Sequence, residues 1–210
     1  MAQKQRKLFV TGIGTDVGKT IAAAILTQAL EADYWKPIQA GDLDHSDSIK
    51  VSSLLSNVKS QILENSYQLN TPASPHFSAQ LDGITIDLNH IKEPKTSNHL
   101  VIEGAGGLLV PLNDTDCIID LIQKDYEVIL VSRHYLGSIN HTLLSLEALK
   151  SKNIPCAGII FSGDENPATE SIILAKSGVK FLCRINNEPY FDANVIAYYA
   201  DSFKEALTNM

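Results

Sequence analysis

Gly12-Ile13-Gly14-Thr15-Asp16-Val17-Gly18-Lys19-Thr20 follows the apolar run Leu8-Phe9-Val10 and precedes a helical pattern from Ile21 to Leu30. A strand, a glycine-rich turn and a helix start, in that order, make an anion cradle. Backbone N–H groups of the turn point inward, and the helix N-terminus adds partial positive charge. The closing Gly-Lys-Thr supplies a lysine cation for terminal phosphates and a hydroxyl able to ligate Mg²⁺. The strict spacing of such loops puts the first glycine five residues before the second. Position 13 is isoleucine here and the glycine stands at Gly12, so the loop is one residue longer. A chance Gly-Lys-Thr on a surface turn would require neither flank, and both are present.

The chain around this loop has 210 residues, 44% apolar and 20% charged, with a net charge of −7. That composition predicts one folded domain over 1–210 with a substantial core, neither disordered nor membrane-spanning. The acidic balance argues against nucleic acid as a partner. The short basic run Lys4-Gln5-Arg6-Lys7 reads as a solvated tail. Cys117, Cys156 and Cys183 are odd in number and sit in apolar contexts, which suits thiols in a reducing cytoplasm better than disulfides or a metal site. No signal-like segment opens the sequence, and no apolar stretch approaches membrane length.

Short apolar runs alternate with helical patterns. Strands are expected at Leu8–Val10, Tyr34–Ile38, His99–Ile102, Glu127–Ser132, Cys156–Phe161 and Lys180–Ile185. Helices are expected over 20–31, 47–57, 116–124, 138–151, 167–176 and 192–207, the last with a stripe at Val195, Ile196, Tyr199, Phe203 and Leu207. Continuous apolar strands joined by helices predict a three-layer α/β fold with a mostly parallel sheet, P-loop NTPase-like. Residues 58–98, interrupted by Pro72, Pro75 and Pro94, are too long for a plain loop and should hold a helix and part of the functional surface.

Ligands of such sheets sit beyond the carboxyl ends of the strands. The chemistry-bearing segments fall there: the loop ending at Thr20, Lys36–Gly41, Glu103–Gly107, Arg133–His141 and Ser162-Gly163-Asp164. Lys36 is either a surface lysine or a second cation facing the γ-phosphate. Glu103 is either structural or part of a Mg²⁺ shell. Asp47, in an Asp/Ser-rich segment, is either a helix cap or a ligand. The six histidines show no metal-binding spacing, and no Ser–His or Cys–His nucleophile pair can be assigned.

The ordered motifs Thr11–Thr20, Lys36–Gly41, Ser46-Asp47, Ser74-Pro75-His76, Ile102–Pro111 and Leu136–His141 resemble those of the dethiobiotin synthetase family, over roughly residues 8–165. The resemblance implies Mg²⁺- and ATP-dependent closure of 7,8-diaminopelargonate and CO₂ to dethiobiotin. The route runs through a carbamate and a carbamic–phosphoric anhydride. It implies Lys36 and Lys19 as catalytic cations, and Thr20, Asp47 and Glu103 around the metal. Asp16, Val17, Gly18, Lys19, Thr20, Ile21, Asp47, Glu103, Gly104, Ala105 and Gly106 would hold the nucleotide. Thr15, Ala40, Gly137, Ser138 and Asn140 would contact the substrate. In the family the 136–141 turn serves a neighbouring subunit, which implies a homodimer.

Three positions depart from the family pattern. Ala40 lacks the usual hydroxyl, leaving that contact altered or carried by Gln39. Ser162-Gly163 replaces an Asn-Asp pair that reads adenine, and Asn186 replaces a proline of the base pocket. The alternatives are a nucleotide-operated partitioning switch, against which the absence of an extra lysine in Gly12–Gly18 counts, and a degenerate nucleotide binder.

Overall fold

The computed structural model describes residues 5–208. Seven strands form one sheet in which every pair is parallel: β1 (Lys7–Gly12), β2 (Asp33–Trp35), β4 (Ile62–Leu63), β6 (Leu100–Gly107), β7 (Glu127–Arg133), β8 (Cys156–Ser162) and β9 (Phe181–Ile185), in the order β4-β2-β6-β1-β7-β8-β9. A separate parallel pair joins β3 (Ile38–Ala40) to β5 (Tyr67–Leu69).

The central strand β1 is buried on both faces, and alternation of its side chains divides the core. Leu8 and Val10 join one cluster with helix α1 (Lys19–Leu30) and helix α6 (Ala193–Thr208). Phe9 joins the other, which includes Leu149 of helix α4 (Ser138–Ser151). Ala22, Ala23 and Ala24 let α1 lie close against the sheet and α6, all three being fully buried. Helix α5 (Pro167–Ser177) lies beside α4, while α2 (Asp47–Leu54) packs on α1.

Three sequence expectations are corrected. The strand expected at Tyr34–Ile38 is two strands in different sheets. Pro37 offers no N–H to a ladder, and its carbonyl accepts from the amides of Ser66 and Tyr67, so Ile38 leaves along β5. The helix expected over 116–124 is only a 3₁₀ turn at Ile118–Leu121. The amides of Ile118 and Ile119 are taken by the carbonyls of Val110 and Leu108, which removes them from any helical ladder. The basic run is no solvated tail where it is described. Arg6 grips both oxygens of Glu127 and the Leu207 carbonyl, and Lys7 pairs with Glu93 and Asp125. Lys4 lies outside the described residues. The 58–98 segment supplies β4, β5, a short helix α3 (Pro75–Leu81) and a 3₁₀ turn at Leu88–His90.

Candidate active site

The loop after β1 is held open by two residues with positive φ, Asp16 at 55° and Gly18 at 95°. Gly18 is the N-cap of α1 and makes no side-chain cap bond, and the first turn of α1 carries no acidic residue. Its N–H groups and partial positive charge therefore remain for an anion. Lys19 folds back so that its ammonium donates to the Gly14 carbonyl at 2.7 Å.

A cavity of about 800 Å³ opens in front of this loop. Three sheet positions converge on it because of the strand order. β2 and β6 are neighbours in a register that sets Trp35 beside Ile102, so the next residues, Lys36 and Glu103, meet at the carboxyl edge. β1 lies on the other side of β6, with Val10 opposite Glu103. The Lys36 ammonium stands 3.1 Å from Glu103 Oε1 and 2.6 Å from Asp47 Oδ2. Thr20 Oγ1 lies 2.9 Å from both Asp47 Oδ1 and Glu103 Oε1. Tyr34 donates to Glu103 Oε2 at 2.8 Å.

Asp47 is available for this cluster because Ser46 caps α2 instead, its hydroxyl accepting from the Ile49 amide. The capping reading of Asp47 is thereby replaced. The surface reading of Lys36 is replaced as well, since the residue is 4% exposed.

Burial and charge set the protonation of the cluster. Desolvation would strip the Lys36 proton, but Glu103 and Asp47 outweigh it and hold its pKa above the usual lysine value. Burial raises the Asp47 carboxyl, and the Lys36 ammonium with the Thr20 hydroxyl more than reverses this, leaving it below the ordinary range. Lys19 behaves differently. Desolvation dominates, Glu103 only partly offsets it and the neighbouring Lys36 charge adds to it, so its pKa falls to about 8. Tyr34, buried beside two carboxylates, stays protonated far above its usual range.

Thr20 Oγ1, Asp47 Oδ1 and Glu103 Oε1 gather as a small set of hard oxygen ligands at the cavity wall. That donor set fits Mg²⁺, which takes few protein ligands and completes its shell with water and phosphate. Among the described residues, no group of three or more His, Cys, Asp or Glu side chains makes an all-protein metal cage. A phosphate-completed shell is what the donor set allows.

Thr15, Asp16, Gly18, Lys19, Thr20, Ile21, Lys36, Ala40, Asp47, Glu103, Ala105 and Gly106 all line the cavity. Val17 and Gly104 do not. The Val17 side chain is in the core, and a side chain at Gly104 would start against Ile118 and Phe9, so only their main chains are available. Gly137, Ser138 and Asn140 lie at the start of α4, away from this cavity. Gln39 is committed to structure: its amide donates to the Gly41 carbonyl and accepts from the Asp47 N–H. It holds the site together and is a poor replacement for the missing hydroxyl at Ala40. Sequence reasoning missed Tyr34, which is invisible without its partner, and Lys50, which lines the cavity one helical turn beyond Asp47.

A family profile described as an AAA domain matches residues 6–195. The ATP-dependent dethiobiotin synthetase BioD of Christiangramia forsetii is 59% identical over 202 residues, covering 96% of this chain and 98% of the relative. The protein of the same name from Cytophaga hutchinsonii is 51% identical, covering 93% and 95%. Among solved structures, the septum site-determining protein MinD of Pyrococcus horikoshii, complexed with Mg-ADP, superposes with a TM-score of 0.61 at 15% identity over 95% of this chain and 96% of that one. That last likeness concerns the fold, and the two relatives carry the identity: the chain belongs to the ATP-dependent dethiobiotin synthetase family.

Proposed function

We propose that this chain closes 7,8-diaminopelargonate, CO₂ and ATP into the cyclic urea dethiobiotin, releasing ADP and phosphate. The carrying observation is the buried Lys36 ammonium at the cavity wall, held between Glu103 and Asp47 with the Lys19 loop beside it.

The chemistry asks for these residues. One substrate amine takes up CO₂ to give a carbamate. A carbamate oxygen forms a bond to the γ-phosphorus as the bond to the β-phosphate oxygen breaks, and ADP leaves. The second amine then forms a C–N bond to the activated carbonyl, phosphate leaves and the nitrogen sheds its proton. Two anions must approach each other, so catalysis consists of positioning and charge stabilisation, with no covalent nucleophile. Lys36 and Lys19 supply the cations, and the N–H groups of Asp16 to Ile21 wrap the phosphates. Glu103 to Gly106 form the facing wall, and Thr15 contacts the diamine. Thr20, Asp47 and Glu103 would hold Mg²⁺, which would supply further neutralisation of phosphate charge. Ser74, whose hydroxyl does not cap its own helix, stands on the cavity wall and offers the hydroxyl that Ala40 lacks.

The chain works as a homodimer in this reading, with Gly137, Ser138 and Asn140 meeting the substrate carboxylate of the neighbouring subunit's site. Exposed Tyr135, Leu136, Ile139 and Leu144 around that helix start support it. The profile match over 6–195 and the continuous seven-stranded sheet support one domain over 1–210. No helix among the described residues is long and apolar enough to cross a membrane. A cytoplasmic setting suits the free thiols of Cys117, Cys156 and Cys183.

The test is incubation with diaminopelargonate, bicarbonate, ATP and Mg²⁺, followed by mass spectrometry. A dethiobiotin mass is expected. Its absence beside an active control enzyme rejects the activity.

A further inference from the structure

Outside the cavity, one carboxylate gathers an unusual number of partners. Glu170 on α5 is buried. Its Oε1 accepts from His134 Nε2 at 2.8 Å, from the Asn166 amide at 3.0 Å and from Arg184 Nη1 at 2.5 Å, while Oε2 accepts from Arg184 Nη2 at 2.6 Å. These partners come from three places: the exit of β7, the loop between β8 and α5, and β9. His134 also stacks on Phe161 of β8, with ring centroids 5.3 Å apart.

Both of the loops tied to Glu170 touch the phosphate loop, each at one of its two positive-φ residues. Arg133, next to His134, donates from Nη1 to the Asp16 carbonyl at 3.0 Å. Ser162, at the start of the loop that contains Asn166, presses on Gly18: a Cβ built there would lie 2.8 Å from Ser162 Oγ. Asp16 at φ 55° and Gly18 at φ 95° are the residues whose conformation turns the N–H groups inward. A carbonyl held by a guanidinium, and a hydroxyl lying where a side chain at Gly18 would have to go, brace that conformation from two neighbouring segments.

We infer that Glu170 is a positioning residue for the nucleotide: by fixing the Arg133–His134 and Ser162–Asn166 segments together, it holds the phosphate loop in its binding conformation without touching the ligand. Misplacement of a binding group by a fraction of an ångström is enough to be read in affinity. The inference rests on the reading that a nucleotide occupies the phosphate loop, and not on the identity of the second substrate.

The experiment compares wild type and Glu170→Gln, which keeps the shape and an acceptor for the Asn166 amide while removing the charge that holds Arg184. Calorimetric titration with Mg-ADP needs no diamine, so it stands even if the wild type makes no dethiobiotin. The expected result is affinity weakened about fivefold or more, a matching rise in KM for ATP, and kcat and the diamine KM within about threefold. Mg-ADP affinity within about twofold of wild type overturns the inference. So does a uniform rise of both KM values with a collapsed thermal midpoint, which marks general loosening. If Glu170→Gln does not fold, Arg133→Met decides. Its side chain is exposed, so only the Asp16 contact is lost, and Mg-ADP affinity should fall about threefold. Unchanged affinity in that variant overturns the inference.

Discussion

The ammonium of Lys36 and the carboxylate of Glu103, 67 residues apart in sequence, meet at 3.1 Å at the carboxyl edges of two neighbouring strands. The pair couples two properties usually treated separately. The cation faces the cavity, where negative charge must be brought together. It is also the counter-ion for two carboxylates, one buried and one half-buried, that could not otherwise sit so close to each other.

Lys36→Gln tests both halves. Turnover should fall about 10²- to 10³-fold, the size of loss that follows removal of one preorganised charge partner. In the absence of metal the thermal midpoint should also fall, because Asp47 and Glu103 then face each other without a cation. Mg²⁺ should restore part of the stability and none of the turnover. Near-normal turnover would assign Lys36 to structure alone.

Lys19 predicts a pH dependence set well below that of an ordinary lysine site. Its pKa in the folded protein is lowered to about 8, so the ammonium is present below that pH and lost above it. Affinity for Mg-ADP should be flat below pH 8 and weaken as pH rises through 8, by up to about tenfold per unit. Lys19→Arg, which keeps its charge throughout, should remove the bend. A wild-type profile that stays level to pH 10 would contradict the assignment. The same shift makes the unfolded chain bind more protons at this residue between pH 8 and the ordinary lysine value, so its contribution to stability rises with pH over that window.

Tyr34→Phe removes the donor to Glu103 Oε2 without changing shape. A buried carboxylate oxygen loses its partner, and the fold should lose about 1–3 kcal/mol in urea unfolding. Because Tyr34 orients Glu103, the Mg²⁺ concentration needed for half-maximal rate should rise as well. A change in stability with no shift in the Mg²⁺ curve would confine Tyr34 to the core.

By the motif resemblance, Ser162-Gly163 stands where an Asn-Asp pair is expected to read adenine, and Asn186 where a proline of the base pocket is expected. One hydrogen bond of that kind is worth about 1–3 kcal/mol. Preference for ATP over GTP and CTP, measured as kcat/KM ratios, should therefore stay below about a hundredfold. A larger ratio would show that other groups in this chain read the base.

Leu144→Glu tests the assembly. A charge placed on the exposed apolar side of α4 should shift light-scattering mass from dimer to monomer and lower kcat/KM for the diamine at low protein concentration. A monomeric wild type, or a dimer indifferent to the change, would remove α4 from the interface.

Much of the architecture was legible in the sequence because buried parallel strands are written as short apolar runs and α4 as a bounded helical pattern. Its ends at Ser138 and Ser151 were read correctly. What failed was decided by bonds between distant segments. The amides of Ile118 and Ile119 belong to Val110 and Leu108, which no local pattern announces. The break at Lys36-Pro37 depends on β5, 30 to 33 residues further along. That Lys19, Thr20, Lys36, Asp47 and Glu103 gather at one cavity was legible because loop chemistry demands particular residue types at fixed spacing. Tyr34 and Glu170 were not, since a tyrosine in a strand and a glutamate on a helix say nothing until their partners are placed.

The strand order has a consequence for synthesis. β1 carries the phosphate loop yet takes its two neighbours from β6 and β7, which begin at Leu100 and Glu127. As the chain leaves the ribosome, β1 must wait, unpaired on both edges, until β6 is complete at Gly107, and open on one edge until β7 is complete at Arg133. Ser162, with Arg133 a support of the loop, arrives later still. The nascent chain should thus be unable to hold nucleotide until Ser162 has emerged, so the ligand cannot act as an early folding template.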